Sequence, residues 1–194
     1  PIPAIERNTL GNRKIGLGVM GFADMLIMLG VPYNSSEAVT IAENIMRLIR
    51  DAAIDSSLHL AQERGVFPNF DRSIYYPNGP RLRNATLTTI APTGTISIIA
   101  GCSSGIEPLF ALAYVRHVLD KAELAEVNPL FENIAKQEGF YDEELVKMVA
   151  ERGTLQDLPG IPEHIRRIFV TAHDISPEWH VKIQAAFQKY VNNA

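Results

Sequence analysis

The sequence predicts a helix-rich α/β fold, on three observations. Apolar residues recur every three or four positions between Asn34 and Glu63, which is typical of a long amphipathic helix. Residues 85–90 are rich in β-branched side chains and are bounded by turn-forming residues, which predicts a strand. A turn with proline and glycine follows and leads into a short helix at 95–100. Strand patterns are few, so the chain by itself is short of strands for a complete sheet.

The first helices are predicted from apolar spacing and from capping residues. Residues 16–29 read as a largely buried helix that ends at Gly30, with Pro32 just beyond. Asn34 and Glu37 resemble a capping box at the start of the long helix. We expect one face of that helix to lie in the core, and its apolar residues are Ile41, Ile45, Leu48, Ile49 and Ala52.

The second half of the chain carries three helix-start signals. Asn128 and Ser176 each precede a proline at the first helical position, and Asp142 is a third capping residue. The spacing predicts that the last helix buries one face and continues to Ala194. The residues of that face are Trp179, Ile183, Ala186, Phe187 and Tyr190.

Composition excludes several classes of protein. The chain has 194 residues, with 18 Lys and Arg against 22 Asp and Glu, and this balance disfavours a nucleic-acid-binding surface. The single cysteine, Cys102, excludes a disulfide framework within the chain and favours a reduced, cytoplasmic setting. No apolar run is long enough for a membrane span, and the first residues do not resemble a signal peptide. His173 and His180 lack a third ligand at suitable spacing, so no metal site is predicted.

Gly16, Gly18 and Gly21 match the spacing of a dinucleotide-binding fingerprint. The chemistry of that motif needs a buried strand that leads into the glycine turn. The preceding residues 11–15 contain one apolar residue, Ile15, and do not predict such a strand. We therefore favour the interpretation that these glycines let a buried helix approach its neighbours closely. An NAD-dependent dehydrogenase that uses these glycines is the alternative.

Residues 92–97 have the chemistry of an anion-binding turn. Free amides at a helix start attract anions, a glycine there lets a ligand come close to the backbone, and hydroxyls add hydrogen bonds. No P-loop lysine is present, so the turn would bind a phosphate group without transferring it. A capped helix start with no ligand fits these residues equally well. The candidate binding residues are Pro92, Thr93, Gly94, Thr95, Ile96 and Ser97.

Several long motifs, occurring in the same order as in a known family, favour the anion-binding turn over a helix start with no ligand. Thr93-Gly94-Thr95-Ile96-Ser97 is followed by Ser103-Ser104-Gly105-Ile106-Glu107-Pro108-Leu109-Phe110. This combination resembles the large catalytic subunit of ribonucleotide reductases, specifically the adenosylcobalamin-dependent kind. Further segments agree, and the matches run from about Asn12 to Ala194. Those segments are residues 15–24, 63–68, 128–132 and 170–180.

The resemblance implies a fold and a site. Members of this family build a ten-stranded α/β barrel, and residues 1–194 resemble a single piece of its second half, incomplete at both ends. In the family the turn that matches residues 92–97 holds the substrate phosphates. Glu107 then becomes a possible lining residue of the substrate site, and the 16–21 glycines become part of a helical scaffold.

The resemblance also implies the chemistry of the parent enzyme. The family makes deoxyribonucleotides with a thiyl radical on one cysteine and a further cysteine pair as electron donor, and Cys102 matches none of these positions. We therefore expect this chain to supply substrate-phosphate binding and no catalytic residue. The implied cofactor is adenosylcobalamin. The implied partners are a ribonucleotide di- or triphosphate, the rest of the reductase chain, a thioredoxin-like dithiol reductant and a second copy in a homodimer. A non-catalytic nucleotide-binding module remains a further alternative.

Overall fold

The computed structural model describes residues 2–117 and 123–192, and helices predominate in it. β1 (Ala113–His117) and β2 (Glu123–Val127) pair as an antiparallel hairpin, with Ala113 opposite Val127. In the described residues the helices are α1 (Pro3–Asn12), α2 (Phe22–Met28), α3 (Ser36–Arg64), α4 (Gly94–Ala100), α5 (Pro129–Gln137), α6 (Glu143–Arg152), α7 (Glu163–Ile168) and α8 (Pro177–Gln188). The prediction of a helix-rich chain is confirmed. None of the described helices is long and apolar enough to cross a membrane.

The chain divides into two compact units. The first unit comprises residues 1–19, 40–91 and 184–194, and the second comprises residues 20–39 and 92–183. Each unit contains one isolated parallel bridge, Leu17 to Thr88 in the first and Leu109 to Thr171 in the second. Within the described residues the only multi-residue strand pairing is the β1–β2 hairpin.

Within the described part of the chain, the strand predicted at 85–90 forms only an isolated parallel bridge at Thr88, and its partner is Leu17, in a segment predicted as helix. The Leu17 N–H donates to the Leu87 carbonyl at 2.8 Å, and the Thr89 N–H donates to the Leu17 carbonyl at 3.0 Å. A Cβ on Gly16 would lie 2.8 Å from Thr89 Cγ2, and one on Gly18 would lie 3.0 Å from the Thr89 carbonyl oxygen. The prediction of a helix over 16–29 was therefore wrong in its first part, because these glycines permit close strand contact.

Helix α3 has the predicted length but a different cap and a different buried face. Ser35 Oγ, rather than Asn34, accepts a hydrogen bond from the Ala38 N–H at 3.1 Å. Leu48 is 71% exposed, so the predicted stripe is not the buried one. Apart from Met46, the buried positions carry small side chains, and small residues let neighbouring elements pack closely against the helix. They are Ala38, Ala42, Met46, Ser57 and Ala61.

Two of the three predicted downstream caps, Asn128 and Asp142, are confirmed, and α8 begins at Pro177, directly after Ser176. Asn128 Oδ1 accepts from the N–H groups of Leu130 and Phe131 at 2.9 and 3.1 Å, and Asp142 Oδ1 accepts from Leu145 at 2.6 Å. These bonds satisfy amides that the first turn of a helix leaves without partners.

Helix α8 is shorter than predicted. It ends at Gln188 rather than continuing to Ala194, which with residue 193 lies outside the described residues. Three of the five residues predicted for its inner face are buried, namely Ile183, Ala186 and Phe187. The other two, Trp179 and Tyr190, are half-buried.

An aromatic cluster forms part of the core of the second unit. Phe131 has no exposed surface, and its ring centroid lies 5.3 Å from that of Phe169, which is also fully buried. The Phe140 ring is tilted relative to that of Phe131, with centroids 6.4 Å apart. The edge-to-face pair of Phe131 and Phe169 adds to the free energy gained by burying the rings.

We predict that Phe131→Ala lowers the free energy of unfolding by about 3–5 kcal/mol, since it removes a buried ring and leaves a cavity. Ile74 is 94% exposed, and Ile74→Ala is the control, with an expected change within about 0.5 kcal/mol. Denaturant unfolding of both variants measures the difference. Equal losses in the two variants would contradict the assignment of Phe131 to the core.

Candidate functional site

The predicted anion-binding turn begins helix α4. Thr93 precedes the helix in the left-handed region, with φ 54°, and no side chain caps the amides of the first turn. Gly94, Thr95 and Ile96 are all exposed, as is Pro92. The start of α4 therefore presents backbone amides without a side-chain cap on an exposed turn.

The three hydroxyls of the turn differ in their contacts. Thr93 Oγ1 accepts from the Gly105 N–H at 2.7 Å. Ser97 is buried, its hydroxyl donates to the Gly94 carbonyl at 3.1 Å, and it lies 3.0 Å from Ser104 Oγ. Thr95 is exposed, and its hydroxyl has no partner among the described residues. Two of the hydroxyls thus hold the turn in place, while that of Thr95 faces outwards.

The environment of Gly94 is open. A Cβ at this position would have no neighbouring protein atom within 4 Å, and the backbone is not in the left-handed region. Packing within the described chain therefore does not require glycine here. The position is consistent with a backbone that must stay accessible from outside.

The turn packs beside a segment formed by residues 103–107, which contacts the start of α2. The N–H groups of Gly21 and Phe22 donate to the carbonyls of Ser103 and Gly105 at 2.8 and 3.4 Å. In return, Asp24 Oδ2 accepts from the Ser103 N–H at 2.6 Å, and the Asp24 N–H donates to Ser103 Oγ at 3.3 Å. The amides that a dinucleotide would need at the start of α2 are already bonded to protein. This geometry argues against the dehydrogenase alternative.

Tyr33 holds the same segment from another side. Its buried hydroxyl donates to the Ile106 carbonyl at 2.8 Å, and its ring meets that of Phe22 edge to face at 6.0 Å. Burial raises the pKa of Tyr33 well above its ordinary value, and the negative charge of Glu107 adds to this shift. The hydroxyl therefore stays protonated and remains a donor across the physiological pH range.

An open cavity of about 650 Å³ adjoins the 103–107 segment. Its volume lies in the usual range, about 300–1,000 Å³, for small-molecule pockets. Ser97 lines this cavity, but the rest of the 92–97 turn does not. The other polar lining residues are Asp24, Cys102, Ser103, Ser104, Glu107 and Asn128, and the apolar ones include Met28, Ile98, Phe110 and Leu130.

The sequence located the turn but missed the residues that support it. Asp24 and Tyr33 lie on elements far from residue 103 in the chain, and no spacing pattern links them to it. Glu107, predicted as a possible lining residue, is exposed and lines the cavity. Over residues 2–117 and 123–192, no group of three histidine, cysteine or acidic side chains is arranged to hold a metal ion. His173 instead contacts Phe110, with ring centroids 5.4 Å apart.

Comparison with known proteins identifies the family. The barrel domain of ribonucleotide reductases matches residues 1–79 and 77–194. The chain belongs to the ribonucleotide reductase family. The vitamin B12-dependent ribonucleoside-diphosphate reductase of Thermoplasma acidophilum is 57% identical over the whole chain, and that of Mycobacterium tuberculosis strain CDC 1551 is 48% identical. The chain spans only 25% and 28% of the lengths of these reductases.

A solved reductase shares the fold. The class Id ribonucleotide reductase alpha subunit of Actinobacillus ureae superposes with a TM-score of 0.80 over 96% of this chain and 33% of its own. Sequence identity between the two is 24%, so this likeness supports the fold alone.

We predict that Asp24→Ala destabilises the 103–107 segment, because the Ser103 N–H loses its carboxylate acceptor. The expected loss in the free energy of unfolding is about 1–3 kcal/mol, and the Ser103 amide should exchange with solvent faster. Glu151→Ala, which removes an exposed carboxylate from α6, is the matched control. Unchanged exchange at Ser103 in Asp24→Ala would contradict this role.

Proposed function

We propose that this chain is the substrate-phosphate-binding part of a vitamin B12-dependent ribonucleoside-diphosphate reductase. The uncapped start of α4, with Gly94, Thr95 and Ile96 exposed, is the observation that carries the proposal. Relatives named as such reductases are 48–57% identical over the whole chain, which supports a diphosphate rather than a triphosphate substrate. The substrate phosphates would bind the amides of the 92–97 turn and the Thr95 hydroxyl.

The chain would contribute binding, and the remainder of a reductase would contribute the chemistry. Replacing the ribose 2′-hydroxyl by hydrogen releases water and consumes two electrons, which a dithiol supplies as it becomes a disulfide. The sequence contains only Cys102, so it cannot form that disulfide by itself. A thioredoxin-like reductant would restore the dithiol, and the cytoplasm is the compartment that suits this cycle.

Adenosylcobalamin, proposed here from the names of the relatives, would supply the radical for the whole enzyme. The cavity of about 650 Å³ lies in the usual range for small-molecule pockets. We assign no cobalamin-binding residue to this chain and propose that its part in the reaction lies in holding the nucleotide.

We propose that the extended segments of this chain belong to the family's ten-stranded barrel. The parallel bridges at Leu17–Thr88 and Leu109–Thr171 support this, because parallel strands connected by helices are the elements of an α/β barrel. The full enzyme would act as a homodimer. A nucleotide-binding module without catalysis is the competing proposal, and the turnover assay below separates the two.

We predict that Gly94→Val in the full-length enzyme weakens binding of the ribonucleoside diphosphate at least about tenfold, since branched methyls would cover the amides of the turn. The fold should persist, because no protein atom lies within 4 Å of the added Cβ. Ile99→Val, on the same helix but outside the 92–97 turn, is the control. Competition with inorganic diphosphate measures the effect, and unchanged affinity in Gly94→Val would remove the phosphate assignment.

We also predict that the full-length protein reduces ribonucleoside diphosphates under anaerobic conditions with a dithiol, and only when adenosylcobalamin is added. Product is measured as deoxyribonucleotide. Turnover without the cofactor would contradict the B12-dependent assignment. Absence of turnover in a folded, cofactor-loaded and nucleotide-bound enzyme would favour the non-catalytic module.

A further inference from the structure

Glu107 is the one charged residue between Arg83 and Arg116 in the sequence. The 92–97 turn and the segment beside it thus supply neutral amides and hydroxyls, together with a single carboxylate. A carboxylate close to a phosphate weakens the binding of that phosphate, because the two negative charges repel each other. A carboxylate close to a sugar hydroxyl instead accepts a strong hydrogen bond. Glu107 is therefore suited to the uncharged part of a nucleotide and unsuited to its phosphates.

The backbone that leads to Glu107 is held by side-chain hydrogen bonds at three of the four preceding residues. Asp24 accepts from the Ser103 N–H, Thr93 accepts from the Gly105 N–H, and Tyr33 donates to the Ile106 carbonyl. The three bonds measure 2.6, 2.7 and 2.8 Å. Glu107 itself is exposed and lines the cavity that Ser97 also reaches. Two carboxylates line this cavity, and Asp24 already accepts a hydrogen bond from the Ser103 N–H, so the fixed backbone presents the Glu107 carboxylate to a ligand in it.

We infer that the Glu107 carboxylate accepts a hydrogen bond from a sugar hydroxyl of the bound ribonucleotide, and that Tyr33 is the positioning residue that sets its place. This inference rests on the proposed function. It assigns the phosphates to the 92–97 turn and the sugar to the cavity side of residues 103–107. Tyr33 touches no substrate and acts through the Ile106 carbonyl, one residue before Glu107.

Two ligands separate binding of the sugar from binding of the phosphates. In the full-length holoenzyme, Glu107→Gln should raise KM for the ribonucleoside diphosphate about tenfold with little change in kcat. Inhibition by inorganic diphosphate, which has no sugar, should stay as strong or become stronger, because a negative charge has been removed. Glu151→Gln, an exposed carboxylate on α6, is the matched control and should change neither value.

Tyr33→Phe keeps the ring against Phe22 and removes the hydroxyl. It should raise KM in the same direction, and Tyr33→Phe combined with Glu107→Gln should be no worse than Glu107→Gln alone, because one acts through the other. Tyr75→Phe is the control, since the Tyr75 hydroxyl makes only a 3.5 Å bond to the Ala85 carbonyl. If Tyr33→Phe does not fold, Asp24→Asn replaces it in the same double-mutant cycle.

Three results would overturn the inference. They are an unchanged KM in Glu107→Gln, an equal loss of affinity for inorganic diphosphate, and full additivity of the two substitutions. Each of these results is measured in an enzyme whose wild-type form is active. An inactive wild-type enzyme, or an unchanged affinity for the ribonucleoside diphosphate in Gly94→Val, would instead count against the proposed function.

Discussion

The site depends on the reciprocal bonding between the start of α2 and residues 103–105. The N–H groups of Gly21 and Phe22 donate to this segment, and the Asp24 carboxylate accepts from it. Each segment thus supplies hydrogen-bond partners for polar groups of the other. Because buried backbone groups without partners are costly, separating the two segments would cost free energy at several polar groups at once. The 2.7 Å bond from the Gly105 N–H to Thr93 then extends this constraint to the start of α4.

The packing of Gly16, Gly18 and Gly21 against other protein atoms gives these glycines a structural role that does not involve a dinucleotide. Gly16 and Gly18 lie against Thr89, where a Cβ on either would be too close, and Gly21 adopts φ 79° at the start of α2. The same spacing in a nucleotide-binding turn would leave the glycine backbone open to a ligand. Here the space in front of the glycines is filled by protein. Spacing alone does not distinguish a glycine that admits a ligand from one that admits a neighbouring strand.

Local features of the fold could be predicted from the sequence, and tertiary ones could not. The caps at Asn128 and Asp142 and the start of α4 depend on residues within three or four positions, so their signals are contained in a short window. The buried face of α3 depends on what packs against it. Alanines there are buried and Leu48 is exposed, an outcome that hydrophobicity alone does not predict. Extended residues 15–18 likewise depend on a partner strand about 70 positions away.

The candidate site shows the same division. Residues 92–97 were predicted from their own chemistry, but the finding that Thr93 and Ser97 bond to protein needed the structure. In the proposed site, the turn itself would attract a diphosphate through dipoles and hydrogen bonds, because residues 84–115 contain no lysine or arginine. Such bonds act at short range and require fixed geometry. In the proposed site, the hydroxyls of Thr93 and Ser97 would therefore contribute to phosphate binding only indirectly, because their bonds to protein hold the turn in place.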